Sequence, residues 1–427
     1  MIENLYKIYL KHPHVQTDTR RLKEGEIYFA LKGPNFNGNT FAAKALAMGA
    51  SAVIIDEDQE IKDDRIVLVE DALTTLQNLA LHHRKQFNIP FLAITGSNGK
   101  TTTKELVSAV LATHFKTSTT LGNLNNHIGV PLTILSIPAD AEIAVIEMGA
   151  NHQKEIASYC AYTLPNYGLI TNCGKAHLEG FGGIEGVRKG KGELFDHLRL
   201  NGGTAFVMWD YDYFHSMCTG ISKIITYGLK NADITGKVNS SEPFLQIELT
   251  SGSKIGSLNT NLVGDYNLPN VLAAVAIGQY FNVPEEKIRQ AIENYFPNNS
   301  RSQLISRNGN TFVLDAYNAN PTSMRAAIEN FAKQPNPSKY VCIGGMMELG
   351  EESIAEHQGI VNLLKQYTWA GVLLVGGDFS KVDHHFLFLP DSNTAMEWLK
   401  SKSITNGMFL IKGSRSMKME TLMQAFE

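Results

Sequence analysis

The chain has 427 residues, of which 43% are hydrophobic and 19% are charged, and its formal net charge is -4. This length exceeds one ordinary domain and the composition excludes long disordered segments, so we expect three domains. The slightly negative charge provides no basic surface overall, which argues against nucleic acid as a partner.

No targeting segment or membrane span is predicted. The first residues, MIENLYKIYLKHPH, lack a basic region followed by a long apolar core, and no apolar run approaches the roughly 20 residues that span a bilayer. The four cysteines show neither close pairs nor zinc-ligand spacing, which is typical of reduced thiols. We expect a cytoplasmic protein without membrane insertion, and a monomer as the default state.

The first segment, 1–88, alternates short apolar runs with helical patterns. GEIYFALKG, SAVIID and RIVLVED predict strands, and helices are predicted over Thr40 to Gly49 and over Ala72 to Gln86. These elements indicate a small α/β domain. Two polar stretches, TDTR at 17–20 and KGPNFNGNTF at 32–41, fit turns and could also hold a ligand.

The central segment, 89–297, opens with a glycine-rich turn between a strand and a helix, IPFLAITGSNGKTTTKE. Successive backbone N–H groups in such a turn bind phosphate oxygens at a helix N-terminus. In this interpretation Lys100 reaches the β- and γ-phosphates, and Thr101 holds magnesium. We call this turn the phosphate turn. Its predicted nucleotide-binding residues are Gly96, Ser97, Asn98, Gly99, Lys100, Thr101 and Thr102.

Polar side chains follow three further apolar stretches of the central segment. Asn125 lies in TLGNLNNHIGVPLTIL, Glu147 ends the strand predicted from Ile143, and the strand from Tyr167 leads to His177 and Lys191. In a doubly wound parallel sheet these strand ends meet beside the phosphate turn. A buried acid needs a partner, which a metal ion would supply. His177 alone also fits a structural histidine, but its neighbours favour a metal site.

The end of the central segment predicts a β-rich region from Tyr211 to Gly264 and then two helices, the second over Pro284 to Tyr295. Asn267 and Asn270 precede the first of these helices. An asparagine there can read an adenine edge or cap the helix, and we expect one of the two to be a cap.

From 298 to 427, strands alternate with helices, which predicts a parallel sheet surrounded by helices. TFVLDAYNANP, KYVCIGGMMELG, AGVLLVGGDF and MFLIKGSRSM each begin apolar and finish in a polar loop. Ligand candidates are therefore expected along one edge: Asp315, Asn318, Glu348, Lys412, Ser414 and Arg415. Each also fits a cap or turn, but the KGSR loop could clamp a carboxylate or phosphate.

The order and spacing of several motifs resemble the Mur ligase family over nearly the whole chain. The motifs are TGSNGKTTTKE, GNLNNHIGVP, IEMGANHQKEI, ITNCGKAHLEGFGGIEGVRKGKGE, GDYNLPNVLAA, DAYNANPTSM, MELG and KGSRSMKME. The resemblance implies an α/β protein of three domains: a UDP-sugar-binding domain over 1–88, a P-loop ATPase-like domain with a parallel sheet over 89–297, and a Rossmann-like domain over 298–427. The last would close over the nucleotide and bind the incoming dipeptide.

The resemblance also implies an ATP-dependent amide ligase of peptidoglycan precursor synthesis, on which cell shape and division depend. ATP would phosphorylate the terminal carboxylate of UDP-N-acetylmuramoyl-tripeptide, and the amine of D-alanyl-D-alanine would attack the acyl phosphate. The alternatives are another Mur-type or folylpolyglutamate-type amide ligase, which differs in its acceptor, and a non-catalytic nucleotide-binding switch. The combination of Glu147, His177 and Lys191 argues against a switch.

The family's catalytic and nucleotide positions are carried over where the motifs match. The matching catalytic residues are Lys100, Glu147, His177 and Lys191. The magnesium positions are matched by Thr101, Glu147, His177 and Lys191, the last at the position of a carbamylated lysine. The positions near adenine are matched by Asn267 and Asn270, and other nucleotide contacts by Asp315 and Asn318.

The implied substrate contacts lie towards both ends of the chain. Residues in the stretches that resemble the uridine-diphosphate site are Thr19, Arg20 and Lys32, and a further substrate candidate is Asn125. The acceptor-side loop is matched by Lys412, Ser414 and Arg415. One position departs from the pattern: where relatives commonly read Gly-Asp-Met-x-Glu-Leu-Gly, Gly345 replaces the aspartate, which puts any role of that acid in doubt.

Overall fold

A computed structural model describes the chain from Met1 to Glu427. Three main sheets of four, nine and six strands follow one another along the sequence, together with one small hairpin. Most strand pairs in the three sheets are parallel, and helices connect them. The predicted α/β class and three-part architecture are confirmed.

The first sheet has the strand order β1-β2-β5-β6 and is parallel throughout. Its elements are α1 (Ile2–Lys11), β1 (Val15–Gln16), β2 (Ile27–Phe29), the hairpin strands β3 (Lys32–Gly33) and β4 (Phe36–Asn37), α2 (Ala42–Ala47), β5 (Ala52–Ile55), β6 (Ile66–Leu68) and α3 (Ala72–Arg84). The helix predicted from Thr40 begins later, because Gly38–Phe41 forms a 3-10 turn that the side chain of Asn37 caps.

The second sheet has the order β15-β14-β13-β12-β11-β10-β7-β9-β8. Its elements are β7 (Phe91–Thr95), α4 (Lys100–Ala112), β8 (Thr117–Thr119), α5 (Gly129–Leu135), β9 (Ile143–Glu147), α6 (Glu155–Thr163), β10 (Tyr167–Ile170), α7 (Leu178–Phe181), α8 (Ile184–Asn201), β11 (Thr204–Met208), α9 (Asp212–Met217), β12 (Lys223–Gly228), β13 (Ile234–Ser240), β14 (Gln246–Ser251), β15 (Ser257–Asn259), α10 (Leu268–Tyr280) and α11 (Glu285–Glu293). The strands from β12 to β15 form the predicted β-rich region, which also contains the unpredicted short helix α9.

The third sheet has the order β16-β17-β21-β18-β19-β20, in which only the pair β16–β17 is antiparallel. Its elements are β16 (Gln303–Arg307), β17 (Asn310–Asp315), α12 (Pro321–Lys333), β18 (Lys339–Gly344), α13 (Ser353–Leu364), β19 (Gly371–Val375), β20 (Leu387–Leu389), α14 (Ser392–Lys402) and β21 (Met408–Lys412). The chain ends in two 3-10 segments, Arg415–Met417 and Met419–Phe426.

The apolar core explains how these sheets hold together. Alternate residues of a strand face opposite sides of its sheet. On β2, Ile27 and Phe29 join a core of 89 buried residues that continues through all three sheets, whereas Tyr28 joins a separate cluster on the other face. The third sheet likewise has its own second core. Both terminal sheets are thus covered on two faces. Among the helices, none has the length and apolar character needed to cross a membrane.

Candidate active site

A cavity of about 800 Å³ lies between the carboxyl ends of the second sheet's strands and the facing loops of the third sheet. Most of the predicted site residues line it: Ser97, Asn98, Gly99, Lys100, Thr101, Thr102, Asn125, Glu147, His177, Asn267, Asn270, Asp315, Asn318 and Lys412. The strand-end rule therefore brings together side chains that are far apart in sequence.

Two glycines of the phosphate turn have left-handed backbone angles and no room for a side chain. Gly96 has φ 140°, and a Cβ atom there would lie 2.0 Å from Oγ1 of Thr171. Gly99 has φ 78°, and its Cβ atom would lie 2.6 Å from Oδ1 of Asn270. The turn thus depends on glycine for both conformation and packing.

The turn leads directly into α4, whose first residue is Lys100. The Lys100 ammonium donates hydrogen bonds to the carbonyls of Gly96 (2.6 Å) and Ser97 (3.1 Å), so it lies folded over the turn. Burial lowers the pKa of Lys100 to about 8; the charge of Glu147 opposes this shift, and the charge of Arg301 adds to it. An anionic ligand in the turn would relieve this unfavourable burial of positive charge.

Glu147 ends β9 and is almost completely buried. Its Oε1 atom accepts hydrogen bonds from Thr101 Oγ1 (3.0 Å) and Asn125 Nδ2 (2.7 Å). Its Oε2 atom is buried and has no hydrogen-bond partner. A carboxylate oxygen left unpaired in the interior is unfavourable, and a bound cation would satisfy it.

His177 lies in the loop after β10 and contacts the third sheet. It has a left-handed φ of 53°, and its Nδ1 atom forms a short hydrogen bond with Oε2 of Glu348. This bond holds the pKa of Glu348 below its ordinary value. The cavity has two lobes, one formed by the second sheet's region and one by the third sheet's region, and this contact places His177 where they meet.

Lys191 lies in α8 behind the cavity wall and is only 1% exposed. Its Nζ atom donates to the carbonyl of Ala150 (2.9 Å) and lies 4.9 Å from the centre of the Phe181 ring. Burial, followed by the charge of Lys100, holds the pKa of Lys191 well below its ordinary value. No group of three or more His, Cys, Asp or Glu side chains is arranged as a ready metal site.

Asn267 and Asn270 connect α10 to the phosphate-turn helix. Asn270 Nδ2 donates to Asn267 Oδ1 (2.8 Å), and Asn270 Oδ1 accepts from Thr103 Oγ1 (3.0 Å). Asn267 Nδ2 donates to the Val263 carbonyl (2.9 Å). Asn267 occupies the N-cap position without a capping hydrogen bond, and Asn270 lies inside the helix. The prediction of an asparagine cap is therefore wrong.

The predicted cationic clamp of the third sheet is largely occupied by protein contacts. Lys412 is buried and its Nζ atom lies 2.5 Å from Oδ2 of Asp315. The Ser414 hydroxyl donates to the Ala319 carbonyl (3.3 Å), and neither Ser414 nor Arg415 lines the cavity. Arg415 is exposed and forms an ion pair with Glu420 in the 3-10 segment that follows.

The predicted UDP-site residues lie in the first sheet's region and outside the cavity lining. Thr19 is buried, whereas Arg20 is exposed and pairs with the neighbouring Asp18. Lys32 lies on the β3–β4 hairpin, 3.2 Å from Asp56. The structure does not bring these residues to the phosphate turn.

Several cavity residues were not predicted from the sequence, among them Arg301, Tyr317 and Asn320. The Arg301 guanidinium lies 3.7 Å from the Tyr317 ring centre. Asn320 caps α12 through Ser323 N (2.9 Å) and also donates to Asn98 Oδ1 (2.7 Å), so it connects the two lobes. The Asn-Pro pair at the start of α12 is a recognisable cap signal, but nothing local indicates the contact with Asn98.

Comparison with known proteins agrees with this site. Three family descriptions match in succession: "Mur ligase family, catalytic domain" at 13–95, "Mur ligase middle domain" at 94–278, and "Mur ligase, glutamate ligase domain" at 300–415. The chain belongs to the Mur ligase family and is an ATP-dependent ligase that forms an amide bond.

Individual relatives narrow the comparison. The UDP-N-acetylmuramoyl-tripeptide–D-alanyl-D-alanine ligase of Escherichia coli is 35% identical over 97% of this chain and 93% of the relative. A crystal structure of MurF from Acinetobacter baumannii has a TM-score of 0.86 at 31% identity, covering 97% of this chain and 93% of that one. The crystal structure of MurF ligase from Thermotoga maritima in complex with ADP also has a TM-score of 0.86. It is 26% identical and covers 98% of this chain and 97% of that one.

Proposed function

We propose that this chain adds D-alanyl-D-alanine to UDP-N-acetylmuramoyl-tripeptide in peptidoglycan precursor synthesis. The single observation that carries this function is the cavity in which the phosphate turn, the buried Glu147 and the facing loops of the third sheet meet. Relatives with this named activity match nearly the full length of the chain. ATP would activate the tripeptide carboxylate as an acyl phosphate, and the dipeptide amine would displace phosphate to form the amide.

Positioning and charge stabilisation are the tasks of the protein in such a transfer. We assign the phosphates to the turn Gly96–Thr102, where Lys100 is close to the expected γ-phosphate. Arg301 projects into the same cavity and its Nε donor is buried without a partner. Two cations directed at one site would oppose the charge that builds up on the transferring phosphoryl group.

The donor set fits magnesium. Glu147 presents one unpaired buried oxygen, and Thr101 places its hydroxyl 3.0 Å from the other carboxylate oxygen. Hard cations prefer such oxygen ligands. We propose that Thr101 and Glu147 hold Mg²⁺, with His177 as a further ligand on the same cavity. When bound, the ion would polarise the phosphoryl oxygens.

Lys191 is proposed to carry a carbamate. An amine reacts with carbon dioxide only in its neutral form, and burial already favours that form at this position. The modification would convert a cationic side chain beside Lys100 into a carboxylate-like oxygen donor. It would thus remove the charge repulsion between the two lysines and supply a metal ligand.

The remaining assignments concern the nucleotide and the two substrates. We propose adenine near Asn267 and Asn270, with other nucleotide contacts at Asp315 and Asn318. The uridine-diphosphate site is assigned to the first sheet, through Thr19, Arg20 and Lys32. Asn125 beside Glu147 is assigned to the tripeptide. The acceptor-side loop 412–415 is assigned to the dipeptide. Within this loop Lys412 and Ser414 are buried supports, and Arg415 lies at the surface.

The larger organisation is also proposed. We place domain limits at 1–88, 89–297 and 298–427, where one sheet ends before the next begins. A cytoplasmic location is consistent with four free, buried cysteines, because a reducing compartment keeps thiols unpaired. A monomer is proposed as the default state.

Dipeptide-dependent phosphate release tests the function. Purified protein is given ATP, magnesium and UDP-muramoyl tripeptide ending in either lysine or diaminopimelate, with and without D-alanyl-D-alanine. We expect phosphate release and a product heavier by the dipeptide minus one water only when all substrates are present. Lys100→Met should abolish both signals, whereas Lys116→Met, at an exposed lysine, should not. Equal phosphate release without dipeptide would refute the assignment.

A further inference from the structure

The helix that follows the phosphate turn is tied to the linker between the second and third sheets. Glu105 on α4 accepts a short hydrogen bond at Oε2 from the Tyr295 hydroxyl and a second bond at Oε1 from Asn299 Nδ2 (3.1 Å). Tyr295 and Asn299 lie 190 and 194 positions after Glu105 in the sequence. One carboxylate thus gathers two points of the linker.

The linker is held in an unfavourable backbone conformation. Ser300 has φ 55° and Ser302 has φ 51°, left-handed values that serine adopts rarely. Ser302 is fixed by its N–H, which donates to Asp315 Oδ1 (3.2 Å), and by its hydroxyl, 2.8 Å from the Tyr266 hydroxyl. Such conformations persist only where the surroundings enforce them, and they concentrate at functional positions.

The residue between these two serines is Arg301. Its side chain lines the cavity, lies 3.7 Å from the Tyr317 ring centre, and leaves Nε buried without a partner. The positive charge of the guanidinium contributes to lowering the pKa of Lys100. The strained linker therefore places the Arg301 cation in the same cavity as the phosphate turn, with one donor free.

We propose that Glu105 is a positioning residue that fixes the linker 295–302 to α4, so that Arg301 points at the phosphates of the bound nucleotide. The inference rests on the proposed function insofar as the cavity binds ATP. Glu105 does not line the cavity. Glu105 lies on α4 about one turn after Lys100, and its two hydrogen bonds lead to the linker that carries Arg301 into the cavity.

A purely structural role for Glu105 makes a different prediction. If Glu105 only joined two lobes, its loss would lower stability and would weaken nucleotide binding equally whether or not Arg301 is present. If it acts through Arg301, the two substitutions are not additive, because the second removes what the first would have misplaced.

The test is a double-mutant cycle on ADP binding, measured by calorimetry with Glu105→Gln, Arg301→Ala and the double variant. Each single variant is expected to weaken ADP binding about tenfold, and the double variant no more than Arg301→Ala alone. In steady-state assays Glu105→Gln should raise KM for ATP and lower kcat, as Arg301→Ala should, because a misplaced Arg301 no longer opposes the charge on the transferring phosphoryl group. Tyr295→Phe, which removes one of the two bonds, should show the same pattern more weakly.

A matched control is Glu286→Gln, at a glutamate of α11 that pairs only on the surface. It should bind ADP as the wild type does. Additive effects, or wild-type ADP affinity in either single variant, would overturn the inference. A protein that binds ADP with this non-additive pattern but shows no dipeptide-dependent phosphate release would refute the proposed ligation and leave the role of Glu105 supported.

Discussion

Restoring the aspartate that the family pattern places at position 345 should destabilise this protein. Gly345 follows β18 and packs directly against the turn after β19. A Cβ atom at 345 would lie 2.6 Å from the Cα and 3.0 Å from the N of Gly377. The contact is reciprocal, since a Cβ atom at Gly377 would lie 2.6 Å from the Cα of Gly345. Two glycines therefore make room for each other's backbone.

The expected magnitude follows from this distance. Carbon atoms pack at about 3.5–4.0 Å, so the turn at Gly377 must retreat by about 1 Å to admit any side chain. Overpacking of this kind costs about 1–3 kcal/mol, which would lower the thermal midpoint by roughly 4–11 °C if the residues 298–427 unfold as one unit. Gly345 also donates to the Val375 carbonyl (3.0 Å) and accepts from Ser414 N (3.2 Å), so the displacement would reach the loop that carries Glu348.

Scanning calorimetry on Gly345→Asp and Gly345→Ala measures the loss of stability, and phosphate release measures the consequence for catalysis. Both variants should unfold at a lower temperature and release phosphate more slowly, because displacement of the loop would disturb the hydrogen bond between Glu348 and His177. The matched control is Gly359→Ala in α13, where a Cβ atom meets nothing within 4 Å. It should be stabilised by about 0.5–1 kcal/mol, because alanine favours helix. Wild-type stability in Gly345→Asp would refute this steric account.

Three further outcomes are expected. Lys191→Ala should lose ligase activity, and a short-chain carboxylic acid should restore part of it by replacing the proposed carbamate. His357, whose Nε2 accepts from Met346 N (3.1 Å), has a pKa lowered by burial. Because the unfolded chain binds more protons there, stability should fall as pH decreases below about 6.5, and less steeply in His357→Gln. Gly96→Ala should abolish ADP binding in calorimetry, since its Cβ atom would collide with Thr171.

Each of these has a neighbouring control. Lys189→Ala, at an exposed lysine of the same helix, should keep full activity, and loss of activity there or retention in Lys191→Ala would contradict the carbamate. His385→Gln, at an exposed histidine, should follow the wild-type pH profile; a shared profile with His357→Gln would exclude the buried histidine as the cause. Gly182 has a left-handed φ of 76° too, but a Cβ atom there would meet nothing within 4 Å, so Gly182→Ala should bind ADP normally.

The sequence was informative wherever function follows local pattern. Strand-then-loop repeats predicted the parallel sheets, and the rule that ligands bind at the carboxyl ends of strands placed Glu147, Asp315 and the phosphate turn at one cavity. Residue chemistry alone could not predict pairing between lobes. The contacts Asn98–Asn320 and His177–Glu348 span 222 and 171 positions, and they depend on how the domains face each other.

The errors have the same origin. The KGSR loop predicted a free cationic clamp, but β21 lies next to β17 in the sheet, which pairs Lys412 with Asp315. Adjacent strands that are distant in sequence cannot be inferred from composition. One of Asn267 and Asn270 was expected to cap α10, yet the Asn267 side chain donates to the Val263 carbonyl and Asn270 lies inside the helix. Arg301 was missed because a lone arginine after a linker has no motif.

The enclosure of Lys191 determines how fast that lysine can exchange with dissolved carbon dioxide. The ring of Phe181 covers the amine, and the ring fits there because Gly186 and Gly190 carry no side chains: Cβ atoms would lie 1.8 Å from the Phe181 carbonyl oxygen and 2.5 Å from its ring. Because Lys191 is only 1% exposed, we expect dissolved carbon dioxide to reach the amine only when surrounding side chains, Phe181 among them, move. The carbamate proposed here would then form and decay more slowly than the carbamates of exposed lysines in the same solution.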